Sequence, residues 1–273
     1  MNGSAPTPLL TTRGLGKTFG GLAALVGLDL DLYPGEILGL IGPNGAGKTT
    51  TFNLIAGALP PDAGTIELAG ELIAGRPPHE IARRGIIRTF QHNMPFAGMS
   101  VTDNILVGAH TSMQTGLVSL VFNPGRARRE EDAARARARE LAAFVGLSEY
   151  IDGEVGALSF GQGRLLEVAR ALASEPRAIL LDEPAAGLTA SECDRISEII
   201  RGIAGRGIAV LLIEHDMRFL MPLAKRVVVL NFGRKIADGP PAEIRDNPAV
   251  IEAYLGDVSG TVGAGKEDPH ASA

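Results

Sequence analysis

The chain has 273 residues, 45% of them hydrophobic and 35 of them glycine, which suits one α/β domain with a smaller appended lobe. No stretch approaches the ~18 consecutive apolar residues of a membrane span, so the protein is not expected to cross a bilayer by itself. A formal net charge of −5 argues against nucleic acid as the main partner, because phosphate-backbone binding demands a basic face.

From the N-terminus, Met1 to Leu10 has no basic start, long apolar centre or cleavage site, so no secretory signal is read and the cytoplasm is the expected compartment. Leu9 to Ile41 reads as strand-rich: Leu25, Leu28, Leu30 and Leu32 alternate with polar or small residues, and after Pro34-Gly35 comes the apolar strand Ile37 to Ile41. That strand feeds a glycine-rich loop, Gly42, Pro43, Asn44, Gly45, Ala46, Gly47, Lys48, Thr49 and Thr50, ahead of a helix expected over Thr49 to Ala58 and stopped near Pro60-Pro61. The glycines let successive N–H groups converge on phosphate oxygens, and the helix adds its positive end. Lys48 supplies a point charge for β- and γ-phosphates, and Thr49 a hydroxyl for Mg²⁺.

A strand pair is expected at Thr65 to Leu68 and Glu71 to Ile73, then a segment at Ile86 to Gln91. From Val101 to Val145 the pattern turns helical, with Leu141, Phe144 and Val145 on one face and a break over Gly116 to Gly125. This is a separate helical lobe, about residues 95–165, inserted in the core. Within it the basic stretch Arg126 to Arg139 is interleaved with Glu130, Glu131 and Asp132, which reads as a solvated helix face. Alternation then returns: a helix over Gln162 to Ala173, the strand Ala178 to Leu181, a helix over Ala190 to Ala204 and the strand Ile208 to Ile213. Strands alternating with helices imply a parallel sheet covered on both faces, with ligands at the carboxyl ends of its strands. The folded domain is expected over 9–256, with flexible tails at 1–8 and 257–273; Asp257 to Ala273 is polar, glycine-rich and without apolar periodicity. The lone Cys193 forbids an internal disulfide and is assigned no chemistry.

Asp182 and Glu183 follow four apolar residues, so both carboxylates emerge from a buried strand. Asp182 is expected to hold Mg²⁺ directly or through water, and Glu183 to polarise the attacking water. Ser159, Phe160, Gly161 and Gln162 stand ahead of a helix whose buried side is Leu165, Leu166, Val168, Ala169 and Leu172. One reading has Ser159 cap the helix or hydrogen-bond phosphate and Gly161 let a phosphate approach the backbone; by itself, the segment reads as a plain helix start.

Loop, Leu-Ser-Phe-Gly-Gln segment and Asp-Glu, in that order over roughly residues 9 to 256, resemble the ATP-binding cassette of an ABC transporter. The resemblance implies a P-loop NTPase fold: a mixed, largely parallel sheet, an N-terminal antiparallel β subdomain and an inserted α-helical subdomain. It implies ATP and Mg²⁺ as cofactors and ATP hydrolysis as the reaction. It assigns Gln91 to the metal and to the membrane subunit, His215 to the γ-phosphate and Phe19 to stacking on adenine. It implies transmembrane permease subunits and a second ATP-binding subunit, whose Ser159 to Gln162 segment closes on the ATP held by the first. Indirectly it implies an extracytoplasmic substrate-binding protein, and it places the chain peripherally on the cytoplasmic face of the inner membrane.

Within the family the segments Arg88 to Gln91, Glu183 to Leu188, Ile213 to Met217 and Val250 to Gly256 are most similar to the cassettes of branched-chain amino acid uptake. Urea or amide uptake and lipopolysaccharide-export cassettes are near relatives. Two departures are visible: Phe160 stands where many cassettes have glycine, and Thr189 where many carry an aspartate that bridges the two nucleotide sites. A non-transport regulatory ATPase of the same superfamily is the rival reading. A small-molecule kinase has no use for the Ser159 to Gln162 segment.

Overall fold

The computed structural model describes residues 6–89, 95–109 and 124–260. Strands β1 (Leu10–Phe19), β2 (Leu22–Leu32) and β3 (Ile37–Ile41) lead into helix α1 (Lys48–Ile55), β4 (Ala63–Leu68), β5 (Glu71–Leu72), α2 (Pro78–Arg83) and β6 (Ile86–Arg88). Then come α3 (Val101–Ala109), α4 (Pro124–Val145), α5 (Phe160–Ala173), β7 (Ala178–Asp182), α6 (Ala190–Gly205) and β8 (Ala209–Ile213). The chain closes with α7 (Met217–Leu220), β9 (Arg226–Asn231), β10 (Arg234–Gly239), α8 (Pro241–Arg245) and α9 (Pro248–Gly260).

The central sheet has six strands in the order β10-β9-β3-β8-β7-β6. Every neighbouring pair from β9 to β6 is parallel, and β10 is an antiparallel edge. β3, β7 and β8 are buried along their whole length, and apart from Asp182 at the end of β7 their residues are apolar or glycine on both faces. Alternation along each strand then divides the core. Ile179, Leu181, Val210 and Leu212 join the helices α5 and α6 through Leu166, Ala169, Ile196 and Ile200. Leu180, Leu211, Leu38 and Leu40 face the other way, onto Phe52 and Ile55 of α1 and Leu15, Leu28 and Leu30 of a second sheet. That second sheet is antiparallel, in the order β2-β1-β4-β5. The observed mixed, mainly parallel sheet with an antiparallel β unit and a helical unit is the architecture expected from the sequence.

Val101, Ile105, Leu141, Val145 and Leu166 join α3, α4 and α5 to the same core. On α4 the arginines pair within the helix, Arg135 with Glu131 at 3.1 Å and Arg137 with Glu140 at 2.9 Å, as a solvated face does. Among the described residues no helix is long and apolar enough to cross a membrane.

Several boundaries differ from the sequence expectation. α1 ends at Ile55 rather than Ala58, because the chain turns at Gly57, with φ 73°. α5 begins two residues early, at Phe160, because Ser159 and Gln162 cap its first turn reciprocally. Helix α9 continues to Gly260, past the expected end of the fold at Gly256. Of the expected break over Gly116 to Gly125, Pro124 and Gly125 open α4 and the remainder lies outside the described residues.

An ion-pair cluster around one buried carboxylate joins the two sheets. Arg226 of β9 donates to Glu36 Oε1 at 2.9 Å and Asp238 Oδ1 at 2.7 Å, and its Nη2 donates to the Asp31 carbonyl of β2. Glu36 is 5% exposed, so removing the arginine strands a buried carboxylate. Arg226→Met is expected to lower stability by about 3 kcal/mol, at the low end for a broken buried pair. Urea unfolding checks this against Arg245→Met, whose exposed pair with Asp246 should leave the midpoint unmoved.

Candidate nucleotide site

β3 runs into the glycine-rich loop, and two contacts explain its glycines. Gly42 has φ 150°, and a Cβ there would lie 2.1 Å from the Leu230 carbonyl oxygen at the end of β9. Gly47, the N-cap of α1 at φ 102°, would meet the Ala24 carbonyl oxygen of β2 at 2.6 Å. The loop is thus wedged between the two sheets, and Gly233 N–H donates to the Ala46 carbonyl at 3.1 Å from the β9–β10 turn. Lys48 folds back over the loop, its Nζ donating to the carbonyls of Gly42 at 2.6 Å and Pro43 at 3.0 Å. Its ammonium therefore stays inside the curl, at the N-terminus of α1, where an anion is favoured.

A cleft of about 320 Å³ opens over this loop, lined by Phe19, Ala24, Asn44, Gly45, Ala46, Gly47, Lys48, Thr49, Thr50, Glu183 and Ile213. Phe19, at the end of β1, is 45% exposed, with the Lys17 ammonium 5.7 Å from its ring centre. Pro43 lines instead a neighbouring cavity of about 510 Å³, with Asn44, Phe232 and Glu252 among its walls. Gly42 sits beneath, against β9. Behind it lies the C-terminal helix, where burial pushes the Tyr254 phenol up to about 12, an effect the Gly42 backbone partly offsets.

The carboxyl ends of β7 and β8 supply the acids and the histidine. β7 runs to Asp182, one residue beyond the expected Leu181. Glu183 follows with φ 49°, a left-handed backbone uncommon for a residue with a side chain. Its N–H donates to the Ile213 carbonyl at 3.0 Å, which joins the two strand ends. Glu183 Oε1 lies 3.6 Å from Nδ1 of the exposed His215. Asp182 is not among the residues lining the cleft. It is 8% exposed, and its Oδ2 accepts from Arg88 Nη2 at 2.8 Å.

Ser159, Phe160, Gly161 and Gln162 form no part of the cleft wall. They stand at the start of α5, where Gln162 N–H donates to Ser159 Oγ at 3.2 Å and Ser159 N–H to Gln162 Oε1 at 2.8 Å. Phe160 is 62% exposed, its ring under the Arg164 guanidinium at 5.3 Å. Thr189 caps α6 in the same way: its N–H donates to Glu192 Oε2 at 2.9 Å and its Oγ1 accepts from the Glu192 N–H at 3.4 Å, while its hydroxyl also donates to Glu192 Oε2 at 2.8 Å. These bonds hold the Glu192 carboxyl below its ordinary value. Gln91 lies outside the described residues.

Two residues at the site were not singled out in the sequence. Arg88 carries no signal of its own within the Arg88 to Gln91 segment, and its partner Asp182 is 94 positions away. Glu214 is 2% exposed and accepts from the Ala185 N–H at 2.9 Å, which holds the turn after Glu183. Its place between a buried strand and His215 was the available signal.

Residues 25–186 match the family described as ABC transporter, and residues 234–259 match one described as Branched-chain amino acid ATP-binding cassette transporter. The chain is 43% identical over 251 residues to the high-affinity branched-chain amino acid transport ATP-binding protein BraF of Pseudomonas aeruginosa, covering 92% of this chain and 98% of that protein. It has the same identity and coverage with LivG of Escherichia coli K12, which bears the same description. The lipopolysaccharide export system ATP-binding protein LptB of Acidithiobacillus ferridurans is 37% identical over 249 residues, 91% of this chain and 97% of that protein. Among solved structures, the ADP conformation of an ATP-binding cassette of an ABC transporter superposes with a TM-score of 0.80 at 32% identity, covering 92% of this chain and 99% of that one.

Burial raises the Glu214 carboxyl above its ordinary value, against the opposing effects of the Ala185 N–H and His215. The folded protein therefore binds this proton more tightly than the unfolded chain. The resulting stabilisation is full below the ordinary glutamate range and is lost as pH rises through the raised value. Glu214→Gln keeps an oxygen for the Ala185 N–H and should flatten that part of the stability profile, as urea titrations across a pH series would show.

Proposed function

Because this chain belongs to the ATP-binding cassette family of ABC transporters, and is therefore an ATPase that works with transmembrane subunits, we propose that it powers uptake of branched-chain amino acids. The observation that carries the substrate class is the match of residues 234–259 to the branched-chain amino acid cassette family. Higher identity to BraF and LivG than to the lipopolysaccharide-export protein supports the same choice. The chain would act at the cytoplasmic face of the membrane, bound to its permease subunits with Gln91 as one contact, and an extracytoplasmic binding protein would deliver the amino acid.

The cleft suits a nucleoside triphosphate. Phe19 offers a ring face for adenine, the loop N–H groups and the α1 terminus receive the phosphates, and Lys48 exchanges its loop carbonyls for β- and γ-phosphate oxygens. Thr49 and Asp182 provide oxygen donors only, which fits a hard cation that draws its remaining ligands from phosphate and water. Among the described residues no three His, Cys, Asp or Glu side chains form a metal cage of their own. When bound there, Mg²⁺ neutralises charge on the phosphate oxygens. Glu183, at the mouth beside His215, takes a proton from the attacking water as that oxygen bonds to the γ-phosphorus and the bond to the β-phosphate oxygen breaks, giving ADP and phosphate. His215 steadies the γ-phosphate.

The start of α5, exposed at Ser159 and Phe160, and the open cleft are complementary. A second copy, or a similar cassette, would set the N–H groups of its α5 N-terminus and its Ser159 against the γ-phosphate held by Lys48, so ATP joins the two. Thr189 keeps its hydroxyl on Glu192, so position 189 itself brings no carboxylate toward the second site.

Glu183→Gln leaves Lys48, Thr49 and Asp182 in place. ATP affinity should stay within about threefold while turnover falls by about 10²–10³, the usual loss of a general base. Size-exclusion chromatography with ATP should then show an accumulated dimer. Turnover at the parent rate would reassign the base. Lys48→Ala should instead weaken nucleotide binding in calorimetry. For the substrate, leucine uptake by vesicles holding the chain with its permease subunits and binding protein is the expected result, and uptake of urea alone would overturn it.

A further inference from the structure

Arg88 ends β6 at a point where three parts of the site meet. Its backbone is held by register with Leu180 of β7, and the next residue, Thr89, donates its N–H to the Leu180 carbonyl at 3.0 Å. The side chain then reaches in two directions. Nη2 donates to Asp182 Oδ2 at 2.8 Å, and Nη1 donates to Asn53 Oδ1 of α1 at 2.5 Å. The guanidinium also lies 5.7 Å from the centre of the Phe52 ring. Arg88 and Asp182 side chains are 11% and 9% exposed, so the pair is shielded from water and its geometry is held by packing.

We propose that Arg88 is the positioning residue of the metal site: its guanidinium fork fixes the Asp182 carboxylate relative to α1 and the phosphate loop, so that Mg²⁺ and nucleotide bind as one unit. This rests on the assignment of Asp182 to the metal given above. A buried carboxylate needs a hydrogen-bond partner to hold its orientation. Arg88 supplies that partner through one oxygen, Oδ2, and ties it through Asn53 to the helix that begins with Lys48 and Thr49. A planar fork can hold two acceptors at a set angle, and a lysine ammonium cannot. Groups that orient a metal-binding carboxylate typically change metal affinity 10–100-fold when removed.

The test is ADP binding by calorimetry on the full chain, with EDTA and with Mg²⁺, so that no turnover enters the readout. In the parent protein Mg²⁺ should tighten ADP binding. Arg88→Met should leave the EDTA affinity within about twofold and cut the Mg²⁺-dependent gain about tenfold. Arg88→Lys, which keeps the charge and protects the fold should Arg88→Met not be soluble, should lose a smaller part of that gain. Asn53→Ala, which frees the other arm of the fork, should also reduce it. A gain that is unchanged or larger in the arginine variants overturns the proposal, since a guanidinium that merely competed with the metal would raise affinity on removal. Asp182→Asn separates the two levels: if it too leaves the Mg²⁺ gain intact, the metal assignment of Asp182 itself has failed.

Discussion

Parallel pairing of β3, β8 and β7, three strands buried on both faces, is the constraint on which the rest of the protein depends. Parallel strands end on the same side of a sheet, so the loop after Ile41, the acids after Leu181 and the residues after Ile213 emerge together. Their apolar interiors leave no room for polar chemistry before that edge. Glu183 N–H donating to the Ile213 carbonyl is the last rung between two of them, and its left-handed backbone is where chain direction changes from strand to site.

The same burial makes charge difficult to keep near the sheet, and the protein handles its buried groups in three ways. Asp182 is neutralised by a neighbouring guanidinium. Glu214 accepts a backbone N–H but keeps a raised carboxyl pKa because it is desolvated. Arg226 retains its charge despite burial because Glu36 and Asp238 both accept from it. In each case the partner comes from a different element, so these contacts also set how the layers sit on one another. A lost partner would disturb both charge and geometry.

The candidate nucleotide cleft is open over the glycine-rich loop, and the capped start of α5 stands apart from it. Capping boxes at Ser159–Gln162 and Thr189–Glu192 shape two surface turns. Phe160 lies beside Gly187, where an added Cβ would be 3.2 Å from its ring. An exposed aromatic and a helix terminus on the outside of a chain suit contact with another surface. Under the proposed function that surface is a second cassette, which makes catalysis a property of the pair.

Much of this was legible in the residues themselves. The apolar runs Ile37 to Ile41, Ala178 to Leu181 and Ile208 to Ile213 and the alternating leucines of Leu25 to Leu32 determine elements and sheet type, and the Gly42 to Thr49 spacing marks a candidate phosphate loop, because backbone conformation and two-sided burial act over a few neighbouring positions. The order of the motifs determined the family. What only the tertiary structure decided are contacts between residues far apart in sequence: Arg88 on Asp182 and Asn53, Glu214 under Ala185, Arg226 between two sheets, and the separation of Ser159 to Gln162 from the cleft. Periodicity reports which face of an element is buried, but the partner of a buried charge is set by how the layers cross, and that exists only once the whole core has packed.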